Sequence, residues 1–141
     1  KIIGGPFSEV KKLEEHVSKL GLKHKIKFLG RLDRKLTISN IESADIGLLI
    51  NSSKNLHSLN YASPLKYFEY LFAEIKVVAV DFPSHRSLPF SENISFFSEN
   101  NEESFIDAIN KASKTNALKK KDLESISMES RVMEILSLIN S

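Results

Sequence analysis

The chain has 141 residues, 41% of them hydrophobic, a formal net charge of +2 and no cysteine. This is enough for one domain with a core and too apolar for a disordered tail. Disulfides and thiolate metal sites are excluded, the basic residues are too evenly spread to form the stripe that nucleic acid requires, and no apolar run approaches the ~20 residues of a membrane span.

Lys1-Ile-Ile-Gly-Gly-Pro6 reads as the end of a buried strand entering a glycine turn. Two glycines permit unusual backbone angles and close approach of a ligand, although a plain tight turn has the same signature. The start at Lys1, with neither an initiator methionine nor a signal peptide, predicts a piece of a larger protein, and nothing argues for secretion. From Ser8 to Leu20, Val10, Leu13, Val17 and Leu20 repeat at helical spacing, and Gly21 is a natural stop. Residues 26–29 form a strand ended by Gly30. Arg31 then stands in a loop, either as an ordinary exposed arginine or as a group able to stack on a base or meet a phosphate.

Asp33 or a near neighbour caps a helix running to Ala44, with Leu36, Ile41 and Ala44 turned inward. Residues 46–50 are a continuous apolar run, the pattern of a strand buried on both faces of a parallel sheet. Residues 51–61 are rich in turn formers and read as an irregular loop. This loop leaves the carboxyl end of a central strand, where open α/β sheets bind ligands. A helix over 65–73 follows, with Pro64 in its first turn and Ser63 as cap. Leu65, Phe68 and Phe72 form its core-facing stripe. Lys66 and Glu69 share another face, either as a solvated pair or as groups for a phosphate-and-hydroxyl ligand.

Residues 75–80 and 94–97 are further strands, separated by a loop that carries His85. Residues 101–114 form a helix with Phe105, Ile106, Ile109 and Ala112 inward and two glutamates favouring its dipole. Lys119 to Lys121 is a solvated charge run. The final helix, 125–139, carries an apolar stripe of Met128, Val132, Ile135, Leu136 and Ile139. Strands alternating with helices predict an α/β fold with a parallel sheet of about five strands, near 1–4, 26–29, 46–50, 75–80 and 94–97.

Ser63-Pro-Leu-Lys-Tyr-Phe-Glu-Tyr70, followed by Val77-Val-Ala-Val-Asp81, closely resembles the donor-binding segment of GT-B glycosyltransferases, the retaining group known as glycosyltransferase family 4. Ser127-Met-Glu-Ser-Arg131 is similar to that family's C-terminal segment, with Met128 replacing the usual aromatic residue. The resemblance spans nearly the whole chain. It implies a Rossmann-like, three-layer α/β/α fold, half of a GT-B enzyme, with residues 1–141 as the C-terminal nucleotide-sugar domain. The N-terminal acceptor-binding domain and the family's first strand-helix unit are missing.

The implied function is donor binding in a retaining, metal-independent glycosyltransferase that uses a UDP- or GDP-linked sugar. Glu69 would hold the ribose hydroxyls. The amides around Ser63 and Leu65, with Lys66, would face the diphosphate, and the Gly4-Gly5 turn and Arg31 would lie beside the donor. The family carries an earlier glutamate near the donor sugar; here that position is Tyr61, which is uncharged at neutral pH. Catalytic residues would belong to the missing domain, which is the implied partner. Neither metal nor cofactor is expected. The location is expected to be cytoplasmic, with any attachment to the inner membrane face made through the missing domain. A non-catalytic Rossmann-like interaction module is the alternative. A receiver domain is a weaker one, since only Asp45 and Asp81 lie near strand ends.

Overall fold

The computed structural model describes residues 1–61 and 64–139, which divide into two compact units, Lys1–Asn40 and Ile41–Ser141. In the first unit, α1 (Phe7–Lys19) buries Val17, whereas Leu13 and Leu20 are exposed. Residues 1–4 and 26–29 meet in parallel, as expected, but only as the single bridge Ile2–Phe28. Ile2 N–H donates to Lys27 O at 2.8 Å and Leu29 N–H to Ile2 O at 2.8 Å. Positive φ angles at Gly4 (103°), Gly5 (85°) and Gly30 (60°) then turn both segments out of extended conformation. These glycines explain why neither segment becomes a strand of a five-stranded sheet. Asp33 caps α2 (Arg34–Glu42) by accepting the Leu36 amide at 2.8 Å. Leu36, expected inward, is exposed.

The second unit is an α/β structure around a three-stranded parallel sheet, β1 (Ile46–Leu49), β2 (Lys76–Val80) and β3 (Ile94–Phe97), in the order β1-β2-β3. Alternate β2 side chains feed two cores. Val77 and Ala79 join Leu49, Ile94, and Tyr67 and Leu71 of α4 (Leu65–Phe72). Val78 and Val80 join Phe97, Phe82, and Ala108 and Ala112 of α6 (Glu102–Lys114). The α6 helix is capped by Asn101, whose side chain accepts the Ser104 amide at 2.9 Å. Ile106 of α6, expected inward, is exposed.

The α4 stripe is the main correction to the core. Leu65 is 67% exposed and Phe72 51%, while Tyr67 and Leu71 are buried. Six of its eight residues are apolar or aromatic, so two stripes fit the helical period and the sheet selects between them. Tyr67 Oη donates to Pro89 O at 2.5 Å, and burial pushes its phenol well above the usual tyrosine range.

Three segments expected to be loop or charge run have structure. Residues 56–60 form a short helix, α3 (Leu56–Asn60), too brief to show periodicity. Pro83 starts α5 (Pro83–Arg86), on which α3 packs. This buries His85, whose Nδ1 stands 2.8 Å from Val80 O. Lys119 Nζ pairs with Glu74 at 3.0 Å and the Lys120 amide donates to the same carboxylate at 3.1 Å, so the lysine run is a tether. The final helix, expected from 125, starts later, as α7 (Met128–Ile139), and is preceded by a 3-10 helix (Lys120–Ile126) that buries Leu123. Met128, Val132, Ile135 and Leu136 of α7 are exposed; the Ile139 side chain lies outside the described residues. Among the described residues no helix is long and apolar enough to cross a membrane.

Candidate functional site

A cleft of about 550 Å³ opens at the carboxyl end of β1 against the amino end of α4. Its wall consists of Leu48, Leu49, Ile50, Asn51, Pro64, Leu65, Lys66 and Glu69. The size falls within the usual range of ligand pockets. Pro64, expected in the first turn, is the residue before the helix, with extended φ −73° and ψ 118°. Its carbonyl accepts the Tyr67 amide at 2.9 Å. Leu65 and Lys66 therefore occupy the first two helical positions, where amides have no carbonyl of their own helix to bond. Ser63, expected as the cap, lies outside the described residues.

Tyr70 fixes α4 against β1. Its ring lies on Gly47, where an added Cβ would stand 2.6 Å from Tyr70 Cε2, and its hydroxyl reaches Leu48 O at 3.4 Å. Only a residue without a side chain admits the ring. Burial raises the Tyr70 phenol above its ordinary range, and the Glu69 carboxylate raises it further. The cleft thus brings together one cation, Lys66, one carboxylate, Glu69, and the amides of a helix start. Such a helix end favours anions, and a carboxylate accepts strongly from hydroxyls.

The other candidate residues lie elsewhere. Tyr61 is 76% exposed and is not part of the cleft wall; its ring tilts toward His57, with centroids 6.1 Å apart. In the first unit, Gly5 and Arg31 line a depression of about 520 Å³ with Pro6, Phe7, Val10 and Gly30. Gly4 does not line it; its amide donates to Gly30 O at 2.6 Å. Arg31 is exposed on this rim. Among the described residues no group of three His, Asp or Glu side chains converges on a metal position.

Sequence reading missed Asn51, the Tyr70–Gly47 contact and Glu99. A glycine inside an apolar strand marks close approach and was the available signal for the contact. Asn51 stands two residues past the end of β1, in the region where α/β sheets place ligands. Glu99 accepts the Ser53 amide at 3.1 Å across 46 residues of sequence, a pairing with no local signature.

No family model matches the chain, no curated protein matches it, and no solved structure matches it.

Proposed function

We propose that this chain is the donor-binding part of a retaining, metal-independent glycosyltransferase, a Rossmann-like half of a GT-B fold. It takes a nucleotide-diphospho-sugar into the β1–α4 cleft for transfer to an acceptor held by another domain. One observation carries the reading: Leu65, Lys66 and Glu69, from the segment that resembles the family's donor motif, line a single cleft at the start of a helix.

In this reading the amides of Leu65 and Lys66, the Ser63 hydroxyl and the Lys66 ammonium receive the diphosphate. Their positive field is aimed at charge that grows on the leaving diphosphate during transfer. Glu69, about one turn on, accepts from the ribose hydroxyls. The exposed α7 stripe faces the acceptor-binding domain, whose closure over the donor assembles the reacting pair. Nothing in this scheme asks for a metal, because amides and lysine supply the positive charge.

The test is calorimetric titration of the chain with UDP and GDP. Wild type should bind one of them, and Glu69→Ala should weaken that binding about tenfold to a hundredfold with little change in Tm. Full affinity in Glu69→Ala would remove the ribose role. The exposed Tyr61, outside the cleft and in place of a glutamate, favours a second reading, an interaction module without turnover. Nucleotide binding without donor hydrolysis or transfer, even with the acceptor domain restored, would select it.

A further inference from the structure

The cleft has a second wall, the segment that leaves β1. Asn51 lines the cleft, and the chain turns immediately beyond it. The Lys54 amide donates to Ser52 Oγ at 3.3 Å and the Asn55 amide to Ser52 O at 3.1 Å. Asn55 then caps α3 by accepting the His57 amide at 3.0 Å. This turn carries no buried apolar side chain; Ser52, Ser53, Lys54 and Asn55 are all exposed. Burial does not explain how it is held, so polar contacts must.

A long-range contact on it comes from Glu99. Its Oε1 accepts the Ser53 amide at 3.1 Å. Hydrogen bonds from the Ser53 hydroxyl and amide, then the Ser52 hydroxyl and the Lys54 charge, keep the Glu99 carboxyl below the usual carboxylate range. Glu99 has a firm base. It lies just past β3, between Ser98, whose amide donates to Ser104 Oγ at 2.9 Å, and Asn100, whose φ is 58°. The Asn101 amide donates to Ser98 O at 3.2 Å, and Asn101 caps α6. The carboxylate therefore projects from a turn locked to the start of a thirteen-residue helix.

We infer that Glu99 is a positioning residue for the cleft: by holding the 51–54 turn it sets where Asn51 stands in the wall, and so tunes ligand affinity without touching the ligand. This rests on the donor-binding reading. A carboxylate suits the task because it has several lone-pair sites and can accept an amide and hydroxyls together. The sequence separation lets the end of β3 govern the exit of β1 although β2 lies between them.

The experiment uses the full chain as wild type, Glu99→Ala and Glu99→Gln, with UDP and GDP as probes. Hydrogen exchange is read first without ligand. In Glu99→Ala the Ser53 amide should exchange about tenfold faster, while the amides of β2 and α6 keep their wild-type rates. Affinity for the nucleotide that wild type binds should fall about fivefold to tenfold at nearly constant Tm. Glu99→Gln, which keeps an acceptor oxygen but not the charge, should recover part of both losses; if Glu99→Ala fails to fold, this variant carries the test with smaller shifts. Unchanged exchange at Ser53, or faster exchange with unchanged affinity, overturns the positioning role and leaves donor binding standing. A wild-type chain that binds neither nucleotide overturns both.

Discussion

The β1–α4 cleft stands on regular elements with Leu49, Tyr67 and Leu71 buried behind it, whereas the depression of the first unit is walled by two glycine turns and the exposed Phe7. Among the described residues of the first unit, Val17 alone is a buried hydrophobic side chain. The first site thus inherits its shape from side chains packed against a sheet. The second inherits its shape from backbone angles that only a few residues tolerate. The two kinds of support respond differently to substitution. A packed wall transmits small volume changes, while a solvated rim absorbs them.

The largest effect should come from the contact on which the cleft wall rests. Gly47→Ala puts a methyl group inside the Tyr70 ring, so α4 must shift off β1 or the ring must leave its place. The expected loss is about 1–3 kcal/mol in urea unfolding, with weakened nucleotide binding. Adding Tyr70→Ala should restore part of the stability, because the clash partner is gone. If Gly47→Ala unfolds at the wild-type midpoint, the packed-wall side of the comparison is wrong.

Next is the Tyr67 hydroxyl on the same helix. Tyr67→Phe leaves the Pro89 carbonyl without its donor at the edge of the core, and about 1–2 kcal/mol should be lost. A midpoint within about 0.3 kcal/mol of wild type would mean that water replaces the bond at little cost.

Acid sharpens the comparison further. Three carboxyls of the second unit are held below their ordinary range: Asp81 by Arg86, Glu74 by the Lys120 amide and then Lys119, and Glu99 by Ser53. Each folded pKa lies below its unfolded value, so the unfolded chain binds more protons as the solution is acidified. The stabilising contribution is complete above the unfolded pKa of about 4 and is lost as pH falls through the folded values. The urea midpoints of wild type and the triple variant Glu74→Gln, Asp81→Asn, Glu99→Gln should differ at pH 6 and converge below about pH 4. A gap that does not narrow at all as pH falls from 6 through the carboxylate range would contradict the linkage.

The smallest effect is expected on the solvated rim. Arg31→Ala removes an exposed side chain from the first unit's depression and should leave stability within about 0.5 kcal/mol of wild type. A larger loss would show that this rim is packed after all.

What the sequence made legible follows the same division between local and long-range causes. The Asp33 cap, the ends of β2 and β3, and the meeting of Lys66 and Glu69 at a helix start depend on neighbours in sequence, and each was readable; Asn101, read as the first helical residue, is instead the cap of α6. The buried face of α4 was not, because Leu65 and Phe72 compete with Tyr67 and Leu71 as equally apolar stripes. The Lys119–Glu74 and Ser53–Glu99 pairs were not, because each joins residues about forty-five apart. The bridge at Ile2 was expected as a full strand because hydrophobicity marks where a strand is favoured, while its length was cut by backbone angles at Gly4 and Gly30.

The Arg86 contacts bear on how molecules of this chain meet one another. The guanidinium is held by both oxygens of Asp81, at 2.7 and 2.8 Å, and lies 4.0 Å over the centre of the Phe96 ring on β3, one of the two end strands of the sheet. An end strand is a template on which another polypeptide can add, and short length and fixed charge are what discourage it. β3 has only four residues and wears a cation clamped across its aromatic side chain. The cluster that closes the 81–86 turn thus also sets a fixed charge beside an end strand, the kind of feature that discourages a further strand from adding there.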